Sequence, residues 1–247
     1  MSNKPTAANT EAVNFLTGKL SREPWPSGIA LPGEGGKFLS DGTLQVWPGN
    51  TFVCHVDAQS PAHDELRALQ EEIKMSRFAS FFTFLPPSSF HMTVFEGISP
   101  GVNNPACLPT GAKPGMSRDE LSANMLEKLA DVKLEPSQSV EIVSLFCGLG
   151  LRVRRVGEQH DAPLRHARER LRTATGINPP RFEEYMFHIS LAYLLQWLTE
   201  PTAAALVEFS NELAGRYAQK LSAIPLGPVE FCNFESMHHF EPLKRLV

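Results

Sequence analysis

The sequence predicts an α+β fold of two pseudo-symmetric lobes, with antiparallel sheets facing a central cleft and helices on the outside. Three observations predict it. In each half of the chain, strands, a helix and then a histidine-bearing strand follow in that order, the pattern of a duplicated unit. Two segments, Phe90-His91-Met92-Thr93-Val94-Phe95 and Phe187-His188-Ile189-Ser190-Leu191-Ala192, occupy corresponding places in the halves and share one pattern of histidine, apolar, hydroxyl and apolar residues. The chain has 247 residues, 42% of them hydrophobic, which is enough apolar material for a packed core.

Residues 1–36 carry Pro24-Trp25-Pro26-Ser27-Gly28 and Pro32-Gly33-Glu34-Gly35-Gly36 and read as an irregular lead, ahead of a single bilobal domain over 37–247. Lys37-Phe38-Leu39 and Thr43-Leu44-Gln45-Val46-Trp47 flank the turn-like Ser40-Asp41-Gly42 and suggest a small hairpin. The first core strand is placed at 51–56. Ser60-Pro61 offers a cap and a proline at the first helical position, and Leu66, Leu69 and Ile73 recur at helical spacing, which predicts a helix over 61–76. Strands follow at 78–85 and 90–96 and a loop at 100–115. Ser117-Arg118-Asp119-Glu120 fits a capping box opening a helix to residue 132, so 97–135 forms an insertion between the halves.

The second half opens with β-rich runs at 140–147 and 150–156 around Gly148, a predicted hairpin. Leu164, Ala167 and Leu171 lie on one stripe of a helix over 162–175 that Gly176 stops. The second histidine strand is placed at 186–194, an amphipathic helix at 202–221 and a closing strand at 228–236.

Composition excludes several classes. No apolar stretch approaches the roughly 20 residues of a membrane span. Residues 1–18 lack the apolar core of a secretory signal, so a cytoplasmic protein is expected. Cys54, Cys107, Cys147 and Cys232 are far apart and form no Cys-x-x-Cys pair, which argues against a zinc knuckle or a disulfide framework. A net charge of −4 is unlike that of a protein coating nucleic acid, which leaves a small ligand or a nucleic-acid end as the partner.

On a strand, side chains alternate faces, so His91 and Thr93 share one face, as do His188 and Ser190. The other six histidines, His55, His63, His160, His166, His238 and His239, do not fit the pattern. Imidazole titrates near neutrality, so a pair can divide proton transfer, one taking a proton from the attacking oxygen and the other giving one to the departing oxygen. Thr93 and Ser190 are placed to hydrogen-bond the non-bridging oxygens of a phosphate. Neither Gly-x-Ser-x-Gly nor a phosphate-binding Gly-x-x-x-x-Gly-Lys-Ser/Thr loop occurs, which disfavours acyl transfer and nucleotide triphosphatase chemistry.

His91-Met92-Thr93-Val94 and His188-Ile189-Ser190-Leu191 resemble, position for position, the paired His-hydrophobic-Thr/Ser-hydrophobic motifs of the 2H, or two-histidine, phosphoesterase superfamily, and in detail a poorly characterised bacterial branch of it. The resemblance covers about residues 50–240. It implies a metal-independent phosphodiesterase or ligase-type fold, without cofactor, acting on 2',3'-cyclic phosphates, 2'-5' linkages or related nucleotides. The motif histidines stand 97 residues apart, with the 97–135 insertion between them, and this departure bears on the substrate more than on the chemistry. A nucleotide-binding module without chemistry and a metal-dependent hydrolase are the alternative readings.

Eight arginines stand against three acids between residues 152 and 181, which reads either as a rim for an anionic ligand or as a solvated helix face. Of these, Arg154, which shares a strand face with Arg152, and Arg181, which precedes the second motif, are the expected phosphate contacts. His55 is assigned a structural role. Tyr193 falls on the face opposite His188 by strand parity, which places it in the core. His238-His239, with Glu235 and Glu241, reads as a surface turn.

Overall fold

From the N-terminus, α1 (Ala7–Leu16) precedes two short parallel strands, β1 (Ile29–Ala30) and β2 (Phe38–Leu39). The first half continues with β3 (Gly49–His55), α2 (Pro61–Lys74), β4 (Phe82–Phe84) and β5 (His91–Glu96). After α3 (Arg118–Lys128) come β6 (Gln138–Phe146), β7 (Gly150–Arg155), α4 (Ala162–Thr175), β8 (His188–Ser190) and β9 (Ala192–Leu194). The chain ends with α5 (Glu200–Tyr217), β10 (Ile224–Leu226), β11 (Glu230–Ser236) and β12 (His239–Arg245). This computed structural model describes residues 7–102, 104–157 and 160–247; the start of the lead, Asn103 of the predicted loop and Glu158 of the arginine-rich segment lie outside the described residues.

Eight strands form one antiparallel sheet in the order β10-β6-β7-β8-β5-β3-β11-β12, strongly curled. The expected α+β class and the two similar halves are both present, four strands on each side of the seam between β8 and β5. The halves are fused along the two motif strands, so the cleft is the hollow of one curled sheet. The closing strand β11 returns to pair with β3 of the first half, while β10 pairs with β6 of the second.

One face of the sheet is the main core. Phe52, Cys54, Met92, Val94, Leu151, Val153, Ile189 and Phe231 project from it into a cluster that also holds the apolar stripes of all five helices. The helices cross over: α4, from the second half, packs on β5, and α2, from the first, packs on α5 and β10. Each half therefore needs the other to bury its sheet. The predicted helix signals act as expected. Ser60 Oγ accepts from His63 N ahead of Pro61, Ser117 and Glu120 form the reciprocal capping box, and Gly176 closes α4 with φ +76°.

The opposite face carries a smaller cluster built on Val53, Cys232, Phe234 and Phe240, covered by Trp25, Ile29, Phe38, Leu44 and Trp47. The lead is thus a strap along the hollow side. It also contains a helix that was not expected: Leu16 of α1 is fully buried, and α1 packs on α5. The predicted 37–47 hairpin is present in short form: Phe38 and Leu44 form an antiparallel bridge, Leu39 N donates to the Thr43 carbonyl at 2.9 Å and Gln45 N to the Lys37 carbonyl at 3.0 Å, while β2 also pairs in parallel with β1.

Candidate active site

Met92 stands opposite Ile189 in the antiparallel β5–β8 pair. That register puts His91 across from Ser190 and Thr93 across from His188, a two-fold arrangement in which each imidazole faces the other motif's hydroxyl. The histidines are diagonal neighbours, which in an antiparallel pair means a separation of about 7–8 Å. Met92, Val94 and Ile189, on the alternate positions, are buried in the main core and lock this register, because a one-residue slip would drive both histidines into it.

The two imidazoles are oriented by the same device. His91 Nδ1 donates to the carbonyl of Ser89 at 2.7 Å, and His188 Nδ1 donates to the carbonyl of Met186 at 3.0 Å. Each partner lies two residues upstream. A carbonyl can only accept, so Nδ1 carries the hydrogen and Nε2 is the nitrogen left for chemistry, a base when neutral and an acid when protonated. The environments differ. His91 is half-buried against the ring of Phe240, with centroids 4.1 Å apart, whereas His188 is exposed. Burial pulls the His91 pKa down to about 4 against the opposing pull of the Ser89 carbonyl, and the nearby His55, His188 and Lys37 push it the same way.

His91, Thr93, His188 and Ser190 line one cavity of about 220 Å³, together with Lys37, Glu96, Tyr193, Met237 and Phe240. Neither motif hydroxyl hydrogen-bonds another protein group among the described residues, so both are free for a ligand. A second cavity, of about 540 Å³, adjoins it and shares His188, Ser190 and Tyr193 as a common wall. Gly150 opens the way between strand and cavity. It pairs with Ser190, and a Cβ there would come within 2.5 Å of the Ile189 carbonyl oxygen.

Two cavity residues escaped the sequence reading. Tyr193 was placed in the core by parity, but the motif strand is interrupted at Leu191, where the single Leu149 carbonyl accepts from both Leu191 N and Ala192 N at 2.8 and 2.9 Å. Beyond this break β9 pairs with β4, the phase of alternation is lost, and Tyr193 turns into the hollow. Lys37 reaches the cavity from the strap and its Nζ donates to the Tyr193 hydroxyl at 3.1 Å. No local pattern marks a lysine that only tertiary folding brings to the site.

The β5–β8 pairing ends almost at once, and the backbone beyond it is held by side chains. The Thr93 carbonyl accepts from the Tyr185 hydroxyl at 3.2 Å, and the Val94 carbonyl accepts from Arg168 Nη1 at 2.7 Å. Arg168 is fully buried, also reaches Glu96 at 3.2 Å, and stacks over the Tyr185 ring at 4.0 Å. Burial lowers its pKa, and Glu96 opposes the shift. This brace ties α4 of one half to the motif strand of the other.

Of the two arginines expected at the phosphate, neither lines the smaller cavity that holds both motifs. Arg154 is ion-paired with Glu141 at 2.7 Å on the exposed side of β7 and lines neither cavity, because two further positions along β7 carry it past the site. Arg181 lines the larger cavity, exposed and 4.0 Å from Glu184. Arg152, directly across from His188, also lines it, with its guanidinium over Phe146. His55 sits opposite His91 on β3 and bonds Glu230 through Nδ1 at 2.8 Å. With Cys232 these form a group whose ligand atoms lie within 4.8 Å of one another, but both Glu230 oxygens are already engaged, by His55 and by Arg245.

No helix among the described residues is long and apolar enough to cross a membrane. No curated protein matches the sequence. The structure is similar to the crystal structure of a conserved protein of unknown function from Agrobacterium tumefaciens strain C58, with a TM-score of 0.81 and 23% identity over 95% of this chain and 98% of that one. Residues 37–146, which include His91 and Thr93, match the model of a family described as 2H-phosphodiest, a domain of unknown function (DUF1868). That match places residues 37–146 in the 2H phosphoesterase superfamily and supports a function of the phosphodiesterase type; the second motif is paired beside the first at the same cavity.

Proposed function

We propose that the protein is a metal-independent phosphodiesterase acting on a small nucleotide or RNA end, a 2',3'-cyclic phosphate or 2'-5' linkage, by paired-histidine acid-base catalysis. The observation that carries this reading is the matched orientation of the two imidazoles: each Nδ1 is fixed to a carbonyl two residues upstream, leaving two Nε2 atoms and two unpartnered hydroxyls at one cavity. Because burial keeps His91 neutral, it is the base and His188 the acid in hydrolysis.

For a cyclic phosphate, His91 Nε2 takes a proton from water as the water oxygen bonds to phosphorus. The bond from phosphorus to one ribose oxygen breaks, and that oxygen receives the proton from His188 Nε2. Thr93 and Ser190 donate to the non-bridging oxygens as charge builds on them. The product is a phosphomonoester with a free ribose hydroxyl. The same groups run in reverse would close or transfer the bond, which is ligase-type chemistry. The smaller cavity fits the phosphate, and the larger, mostly apolar one beyond Ser190 accepts the nucleoside with Arg181 and Arg152 at its edge.

The test is turnover of the four 2',3'-cyclic nucleotides and of 2'-5'-linked dinucleotides in the presence of chelator, with products resolved as 2'- or 3'-phosphates. His91→Asn and His188→Asn each lower kcat by about 10²–10⁴-fold. Full turnover in both variants, or activity that chelator abolishes, overturns the proposal.

A further inference from the structure

We infer that Lys37, carried into the hollow by the N-terminal strap, is the cation that binds the substrate's phosphate, with the Tyr193 hydroxyl as its pivot. This rests on the phosphodiesterase reading, and it replaces the contact that sequence assigned to Arg154.

Four observations point to it. Lys37 lines the same cavity as both histidines and both hydroxyls. Unlike Lys19, Lys74 and Lys220, each in an ion pair with a glutamate, Lys37 meets a neutral partner, Tyr193, at 3.1 Å, and it has no carboxylate partner among the described residues. The one carboxylate at that cavity, Glu96, is held by Arg168. The lysine is also positioned by its backbone and stem: its N–H donates to the Gly28 carbonyl at 2.8 Å, and its carbonyl accepts from Gln45 N at 3.0 Å.

Gly28 makes the approach possible. It adopts φ +86°, and a Cβ there would crowd the Lys37 stem at 3.1 Å and touch the Tyr193 ring at 3.5 Å. The next residue, Phe38, is fully buried against Tyr193 with ring centroids 5.1 Å apart, which anchors the strap at the point where the lysine leaves it. An ammonium on such an anchored base meets a phosphate with little reorganisation, the condition under which a fixed charge is most effective. A tyrosine hydroxyl, unlike a carboxylate, orients the ammonium without cancelling its charge.

The experiment compares the full chain with Lys37→Met and Lys37→Arg, measuring calorimetric binding of inorganic phosphate alongside kcat/KM on a 2',3'-cyclic nucleotide. Lys37→Met is expected to weaken phosphate binding about 10-fold or more and to lower kcat/KM roughly 10²-fold, while Lys37→Arg keeps most of both. The acid limb of the pH-rate profile moves upward in Lys37→Met, because the charge that disfavours protonated His91 is gone; His55 and His188 remain. Unchanged phosphate binding and kcat/KM in Lys37→Met, with His91→Asn inactive, overturns the role of Lys37 and leaves the phosphodiesterase reading standing. Phosphate binding that depends on Lys37, in a protein that turns over none of these substrates, does the reverse. Should Lys37→Met fold poorly, Lys37→Gln, which keeps a polar stem and removes the charge, is expected to give the same loss of phosphate binding, and parent-like binding there refutes the inference.

Discussion

Replacing Arg168 with Met tests whether the two halves are held at the motif strand by the buried guanidinium. The substitution keeps much of the volume and removes the charge. It leaves the Val94 carbonyl, now bonded at 2.7 Å, buried without a donor, a loss of about 1–3 kcal/mol. It removes the stacking of the guanidinium on Tyr185 at 4.0 Å, about 1–2 kcal/mol in a desolvated setting. The pair with Glu96 adds little, about 0–1 kcal/mol, because the carboxylate side is 42% exposed and water takes over. Against these stands relief from desolvating a cation, the same effect that lowers the Arg168 pKa. The net expectation is a loss of about 2–4 kcal/mol, or roughly 5–12 °C in Tm for a chain of this size.

Urea unfolding followed by tryptophan fluorescence and by far-ultraviolet dichroism measures this loss directly. Arg168→Lys should lose about half as much, since it keeps the charge but cannot bond two carbonyls and a carboxylate in one plane. Because the same brace holds the strand carrying Thr93, turnover should fall in Arg168→Met even at temperatures where it is fully folded. A variant within about 0.5 kcal/mol of the parent, or more stable than it, would show that the fused strands hold the halves together without this arginine.

Two further outcomes follow from the site. His91 binds its proton less tightly in the fold, about 4 against 6.5 unfolded, so its contribution to stability is complete above 6.5 and is lost as pH falls from there toward 4. Urea midpoints should therefore drop by the equivalent of about 1–3 kcal/mol over that window, and His91→Asn should flatten the slope; identical slopes in parent and variant would refute the burial argument. Gly150→Ala forces a Cβ to within 2.5 Å of the Ile189 carbonyl and 3.1 Å of Ser190 Cα, both backbone atoms, so β8 must shift. It should cost about 1–3 kcal/mol and lower turnover through Ser190 and His188 together, and a fully active, parent-like Gly150→Ala would show that the strands tolerate the displacement.

The parts of the fold legible in the sequence are those whose signals are local. Ser60-Pro61, the Ser117–Glu120 box and the Gly176 stop each act within one turn of helix, and the helices they bound, Pro61–Lys74, Arg118–Lys128 and Ala162–Thr175, lie where the sequence places them. What escaped depends on partners distant in the chain. The helix Ala7–Leu16 has a weak amphipathic pattern of its own and is fixed by packing on α5, about 200 residues away. The strand His239–Arg245 exposes most of its side chains and owes its pairing to β11, so apolar alternation could not reveal it.

The same division runs through the site. The motif residues were legible because a strand's alternation puts histidine and hydroxyl on one face wherever the strand lies, and the orienting carbonyls of Ser89 and Met186 come with the chain just upstream. Strand parity then misplaced Tyr193, three residues after Ser190, because the break at Leu191 resets the phase, and it misdirected attention to Arg154, which keeps the right face but lies too far along β7. Charge at the cavity comes instead from residue 37, on a strap whose course is set by burying Phe38, Ile29 and Trp25 over the first half's face of the sheet. Two motifs alone give a symmetric pair of histidines with no means of telling them apart. The strap and the Phe234–Phe240 cluster cover the His91 side and leave His188 open, and it is this one-sided cover that lowers the pKa of His91.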